Sequence, residues 1–358
     1  MLSFSKRILF ASLAGASLIL SCQQEPVDRY DPTPYSLEYG VLPEPNIPAD
    51  NPLTVQGVKL GRMLFYENRL SGDNTMNCAS CHKQSTAFSD SRRLSLGIDG
   101  LEGKRQAMST VNMLWNRNGY FWDGRAATLR EQSLMPIQDP LEMHEVLDNV
   151  VRKLSHDTTY IYQFERAFGD MAITSERISL ALEQFMHSIV SYRSKYDRYL
   201  EGKDTLTAQE ERGRELFFAE YNPFFPELSG ADCQHCHSGK TFDEPEYKVN
   251  GLDVNYADEG RARVTGDESD HGAMKVVTLR NIALTPPYMH DGRFWSLEEV
   301  VDHYNSGLHA NTNLDPALEM TRGTGLMLTA EDKAALVAFL KTLTDYELIN
   351  DPRYTSPF

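Results

Sequence analysis

The sequence predicts a mostly α-helical protein built from two copies of one unit. Three observations carry that expectation. Apolar residues recur at helical spacing with no sustained strand alternation, two CxxCH segments lie far apart in the chain, and each sits inside the same order of landmarks. The length of 358 residues agrees with two units at about 150 residues each. The expected divisions are 1–21, 22–52, 53–203, 204–345 and a tail of 346–358.

Residues 1–21 read as a signal peptide. Lys6 and Arg7 form a basic start, Ile8 to Leu20 is an apolar run too short to span a bilayer comfortably, and Ser21-Cys22 is followed at once by polar Gln23, Gln24 and Glu25. This resembles a bacterial lipoprotein signal, with Cys22 as the lipidated mature N-terminus. The alternative is an ordinary secretory signal with an incidental Cys22. Either form exports the chain; the lipoprotein form leaves it on the periplasmic side, anchored to a membrane by lipid alone. Residues 22–52 are proline-rich (Pro26, Pro32, Pro34, Pro43, Pro45, Pro48, Pro52) and read as an extended tether rather than a packed element.

The two units, 53–203 and 204–345, follow from matched landmarks. The first runs Gly61-Arg62-Met63-Leu64-Phe65, Cys78-Ala79-Ser80-Cys81-His82 and Asp123-Gly124-Arg125, with Leu129 next. The second runs Gly213-Arg214-Glu215-Leu216-Phe217, Cys233-Gln234-His235-Cys236-His237 and Asp291-Gly292-Arg293, with Leu297 at the same offset. Helix signals agree. Thr207 and Glu210 form a capping box before Leu216 and Phe217, and Thr329 is an N-cap for a helix over Glu331–Thr342. The stripe Ile178, Leu182, Phe185, Ile189, Tyr192 and Tyr196 predicts one helix over Arg177–Leu200, with His187 a core or surface histidine rather than a ligand.

Five cysteines and a formal charge of −16 narrow the function. Loss of residues 1–21 removes Lys6 and Arg7 and lowers the charge to −18. So acidic a chain lacks the basic surplus that nucleic acid requires, and it should steer positively charged partners, with rates that fall as salt rises. CxxCH is the spacing that lets two cysteines add to the vinyl groups of one haem while the adjacent His reaches the iron. Two such segments in an exported chain predict two covalent c-type haems, on Cys78 and Cys81 and on Cys233 and Cys236, with His82 and His237 as iron ligands. Paired zinc sites, the competing reading, lack the usual spacing and ignore both histidines.

Beyond these segments, Phe121-Trp122-Asp123-Gly124-Arg125-Ala126, Pro136-Ile137-Gln138-Asp139-Pro140-Leu141-Glu142-Met143, Leu279-Arg280-Asn281 and Tyr288-Met289-His290-Asp291-Gly292 resemble the bacterial di-haem cytochrome c peroxidase family, which includes the MauG-like enzymes. The resemblance spans about residues 53–345. It implies a mostly α fold of two cytochrome c-like domains, each with one covalently attached c-type haem. It also implies that the haem on Cys78 and Cys81 is the peroxidatic one, with Glu142 as proton carrier and Gln132 as hydrogen-bonding partner on its distal side. Trp122 would be the electron relay between the haems.

Two departures stand out. Many family members carry a resting-state His ligand in the loop after the first haem; Ile98 stands there, and no histidine lies between His82 and His144. At the second haem the usual Met position is Tyr304, as in MauG-like members, and a phenolate favours ferric and higher states. Met274, Met289, Met320 and Met327 are alternative ligands, as is no protein ligand. His290 and His303 read as supporting residues. The resemblance further implies a calcium ion between the domains, held by the Gln106 side chain and the carbonyls of Thr285 and Pro287; the family usually has Asn at Gln106.

The leading functional expectation is a cytochrome-c peroxidase that reduces hydrogen peroxide with electrons from a small cytochrome c or cupredoxin, entering through the haem on Cys233 and Cys236. A MauG-like oxidation of a protein or organic substrate is the second reading, and a non-catalytic di-haem electron carrier the third. The resemblance also allows a homodimer.

Overall fold

The computed structural model describes residues 30–358; Cys22 and the expected signal lie outside them. Eleven helices run along the described residues, and the strands β1 (Tyr247–Lys248) and β2 (Met274–Lys275) form one short antiparallel pair. No described helix is long and apolar enough to cross a membrane.

The repeat is written into the packing. Helix α1 (Val55–Phe65) lies across α5 (Ser175–Ser188), and α7 (Ala208–Phe218) lies across α11 (Ala330–Thr342). Each crossing closes on a glycine. A Cβ on Gly61 would stand 1.9 Å from the Ala181 carbonyl oxygen, and one on Gly213 would stand 1.9 Å from that of Ala335. The paired Gly-Arg landmarks therefore mark matching close helix crossings that leave no room for a side chain. Gly213→Ala is expected to destabilise the protein by about 1–3 kcal/mol through overpacking, measurable by denaturant titration.

Further matches follow in order. Asp123 and Asp291 accept from the backbone N–H of Arg125 and Arg293, closing turns in which Gly124 and Gly292 take φ of 68° and 65°. Each turn leads into a helix capped by a hydroxyl: Thr128 for α2 (Leu129–Gln138) and Ser296 for α9 (Leu297–Ser306). Thr207 and Thr329 cap α7 and α11 in capping boxes, as their sequence signals predict. The helices α3 (Leu147–Ser155) and α4 (Thr158–Phe168) complete the first half. The second half adds α8 (Ala262–Thr265) and α10 (Pro316–Arg322).

Two large apolar cores result. One is built around Leu60, Leu64, Phe65, Phe88, Phe164 and Phe185; the other around Phe217, Phe242, Leu336 and Phe339. The C-terminal residues return to the first core. Leu348 and Tyr354 are buried in it, and the Gln84 side-chain amide donates to the carbonyls of Leu348 and Asp351.

Two expectations need correction. The helix predicted over Arg177–Leu200 breaks after Ser188 and resumes as α6 (Lys195–Leu200). Side chains from both halves outcompete the helical pattern there: Asn112 accepts from Ser191 N–H, Asn281 donates to Ser191 Oγ, and Ser194 and Asp197 cap α6. The expected tether is packed over residues 30–52. Leu42 joins Leu53, Trp115 and Val190 in a small core, Asn51 bonds Glu183 and Gln184, and Trp115 donates to the Pro43 carbonyl. Proline kept the segment extended, but its interspersed Tyr35, Leu37, Tyr39 and Leu42 give it an apolar side to bury.

Candidate active site

The two CxxCH segments fold alike. Each begins in a 3-10 turn, Cys78–Ser80 or Cys233–His235, in which the His N–H donates to the carbonyl of the first Cys at 2.9 Å. His82 Nδ1 meets the Phe88 carbonyl at 2.9 Å, and His237 Nδ1 meets that of Val277 at 3.0 Å. A carbonyl only accepts, so Nδ1 carries the proton and Nε2 keeps its lone pair. Burial lowers the pKa of both rings, against those bonds, which favours the neutral form. A neutral imidazole steadied through Nδ1 is the form an iron ligand takes.

The cysteines are unbridged, and Cys78 and Cys233 pack against the two apolar cores. Burial raises the Cys78 and Cys233 thiols to about 12 and that of Cys236 to about 11; Cys81 is also raised, again chiefly by burial. A redox dithiol needs the opposite shift. Among the described residues no group of three His, Cys, Asp or Glu side chains is placed to hold a metal ion. Half-buried, paired thiols with raised pKa values beside an oriented imidazole fit covalent haem at both segments.

Glu142 lies in the loop that returns from α2. Asp139 organises this loop by accepting from Leu141 N–H, and Met143 N–H donates back to the Pro136 carbonyl. The Glu142 carboxyl is raised to about 7, mainly by burial and further by Asp139, with Arg125 opposing. Its charge in turn contributes to the raised thiols of Cys78 and Cys81, after burial as the main cause, so the carboxyl lies near the first attachment site. Gln132 is half-buried on α2, the helix this loop folds back against. Ile98 stands beside them: its N–H donates to the Glu142 carbonyl at 2.9 Å, and Asp99 pairs with His144 at 2.7 Å. The loop that carries Ile98 is thus latched to the Glu142 loop, with an aliphatic residue at the position where the resemblance would place a ligating histidine.

The two halves meet at Trp122. Its indole N–H donates to the Gln106 carbonyl at 2.9 Å, while its own carbonyl accepts from Lys275 N–H of β2 at 2.8 Å. Arg105 spans the same seam, bonding buried Asp123 on one side and Asp258 on the other. Lys275 had no sequence signal. Its ammonium is buried on the Asn116 side chain and the Gly119 carbonyl, and burial lowers its pKa to about 8 against the influence of Asp243.

A cavity of about 310 Å³ joins Trp122 to Cys233, Cys236, His237 and Tyr304. Tyr304, on α9, has its phenol pushed well above the ordinary range, chiefly by burial, with an Asn250 hydrogen bond opposing. Met274 and Met289 line the same cavity; Met320 and Met327 do not and are 67% and 45% exposed. Asn250, also missed by sequence reasoning, connects this region: it bonds Tyr256 and Met289, and its carbonyl pairs with His303 Nε2. His303 and His290 are buried, and the His290 carbonyl accepts from Gln106 N–H. Gln106, Thr285 and Pro287 line the cavity too, although the Gln106 amide N–H is already committed to Ser89 and Asp90. His187 is buried on α5 and its pKa is pushed down to about 4, mainly by burial.

Over residues 55–205 the chain matches the family model described as di-haem cytochrome c peroxidase. It is similar to the cytochrome c551 peroxidase of Nitrosomonas europaea, at 34% identity over 306 residues covering 83% of each chain. It is also similar to methylamine utilization protein MauG of Methylophilus methylotrophus, at 31% over 297 residues covering 83% of this chain and 84% of that one. Among solved structures, a MauG-like protein associated with microbial copper homeostasis aligns with a TM-score of 0.78 and 36% identity, covering 88% of this chain and 97% of the other.

Proposed function

The chain belongs to the di-haem cytochrome c peroxidase family, and from that premise we propose that it reduces hydrogen peroxide to water with electrons from a small cytochrome c or cupredoxin. It is an oxidoreductase of the peroxidase class. Cys78 and Cys81 would hold one haem and Cys233 and Cys236 the other, with His82 and His237 on the irons. When bound, the first supplies an iron at which peroxide is cleaved and the second a store for incoming electrons.

The observation that carries the reading is Glu142. A carboxyl raised to about 7 near Cys78 and Cys81 can take a proton from one peroxide oxygen and return it to the other at neutral pH. A pure electron carrier needs no such group. Gln132 can orient the peroxide without adding charge, and Trp122 bridges the halves through bonds to Gln106 and Lys275. Steady-state oxidation of a reduced cytochrome with added peroxide tests the reading; no turnover by the di-haem protein would return it to the carrier class.

Tyr304 favours a second reading, in which peroxide drives oxidation of a protein or organic substrate. It shares the cavity with Cys233, Cys236 and His237 and would bind iron as a hard oxygen donor. A long-lived oxidised spectrum after peroxide is added without a donor would select this reading. Ile98 cannot ligate iron, so the first site should be open at rest. The paramagnetic resonance spectrum of the all-ferric protein is expected to show one high-spin and one low-spin signal; two low-spin signals would contradict it.

Calcium between the halves would draw on the Gln106 side-chain oxygen and the Thr285 and Pro287 carbonyls. Export and anchoring through Cys22 rest on the basic start, the apolar run and the Ser21-Cys22 junction. Labelled fatty acid should be incorporated by the wild-type chain and not by Cys22→Ser.

A further inference from the structure

The loop Tyr221–Gly230 precedes the second CxxCH segment and turns Phe224, Phe225 and Leu228 outward. Phe224, Phe225 and Leu228 are 85%, 55% and 68% exposed. The loop is nonetheless built. Asn222 Oδ1 accepts from the N–H groups of Phe224 and Phe225, Asn222 N–H donates to Ser229 Oγ, and Gly230 N–H donates to the Glu220 carbonyl. Its polar groups satisfy one another, which leaves two phenylalanines to water without an internal reason. A second exposed segment abuts it. The Tyr221 hydroxyl meets Thr324 Oγ1 at 2.6 Å, and Thr324 lies between the exposed Met320 and Met327. Met327 takes φ of 57°, a left-handed value that is costly for a long side chain.

Two further observations give this surface a role. Tyr221 and Thr321 line the cavity that Cys233 also lines, so the surface borders the cavity of the second attachment site. Its charges are mainly acidic: Glu220, Glu227 and Glu319 are exposed, and the nearby Arg322 is paired with Glu319. We propose that the Tyr221–Gly230 loop and the Met320–Met327 segment form the docking platform for the protein electron donor, a small basic redox protein with an apolar patch ringed by lysines. Apolar contact at the centre and opposite charge at the rim are what a transient, correctly oriented encounter requires. A second copy of this chain, itself at −16, would meet the same acidic rim and be repelled, as would an anionic lipid surface.

The proposal rests on the peroxidase reading, and two reductants separate the two. A reduced basic cytochrome c must dock, whereas tetramethyl-p-phenylenediamine need not. For Phe224→Ser/Phe225→Ser the KM for the cytochrome is expected to rise about tenfold or more, with turnover on the small reductant unchanged. Wild-type kcat/KM for the cytochrome should fall with added salt, and Glu227→Lys should flatten that slope. An unchanged KM in the double variant, or a flat salt dependence of the wild type, would overturn the docking assignment alone. So would a variant that only dissolves a dimer in sedimentation or only loses binding to vesicles. Absence of peroxide turnover with both reductants would remove the functional reading and the platform with it.

Discussion

Replacing Glu142 by Gln should lower kcat/KM for peroxide by about 10²–10⁴ while both haems remain attached and their resting spectra are preserved. The amide keeps the shape of the carboxyl but cannot accept a proton. The pH profile gives a sharper readout. Burial, helped by Asp139, raises Glu142 to about 7, with Arg125 opposing. Only the ionised form can take the first proton, so wild-type kcat/KM should rise with pH and level off above about 7. Glu142→Gln should lose that limb as well as the rate. Near-normal turnover in Glu142→Gln, or an unchanged limb, would show that another group carries the proton.

The second large effect concerns the joint between the halves. Arg280 and Asp197 face each other through two bonds of 2.9 and 2.8 Å, and both side chains are 1% exposed. Ser194 adds two more donors to Asp197, and Arg280 also donates to the Lys240 carbonyl. Arg280→Met leaves a buried carboxylate without its countercharge, and about 3–5 kcal/mol of stability should be lost. Arg280→Met combined with Asp197→Asn should cost less than the two single changes added together. Acid should act in the same direction. Burial alone would raise the Asp197 pKa, but the Arg280 and Ser194 interactions outweigh it and the net shift is downward. Its stabilisation is therefore present above the ordinary carboxylate range and fades as pH falls through the lowered value. Denaturant melts of the wild type and both variants across that range check the amount and the sign; a wild-type loss only above neutral pH would contradict it.

What could be read directly was local. The CxxCH spacing, the Asp-Gly-Arg turns and the Thr207 and Thr329 caps each depend on atoms a few residues apart, and the described structure reproduces their geometry. The repeat was legible for the same reason, because Gly61 and Gly213 mark identical close crossings in two units. Periodicity failed where distant partners took over. Ile189 and Tyr192 continue a helical stripe, yet Asn112 and Asn281, one from each half, draw Ser191 out of the helix. The proline-rich segment was legible as extended but not as packed, because its partners, Glu183, Gln184 and Val190, lie more than 130 residues away.

The chemistry divides along the same line. The sequence by itself determined which side chains could attach haem and which were candidates to move a proton or bind iron. Only the tertiary structure decided their environments. It half-buried Glu142 and raised its pKa, put Tyr304 into the cavity with Cys233 and His237, and left Met320 and Met327 exposed. It also recruited Asn250 and Lys275, which no motif marks. Desolvation and charge depend on neighbours brought together through space, and adjacent sequence does not encode them.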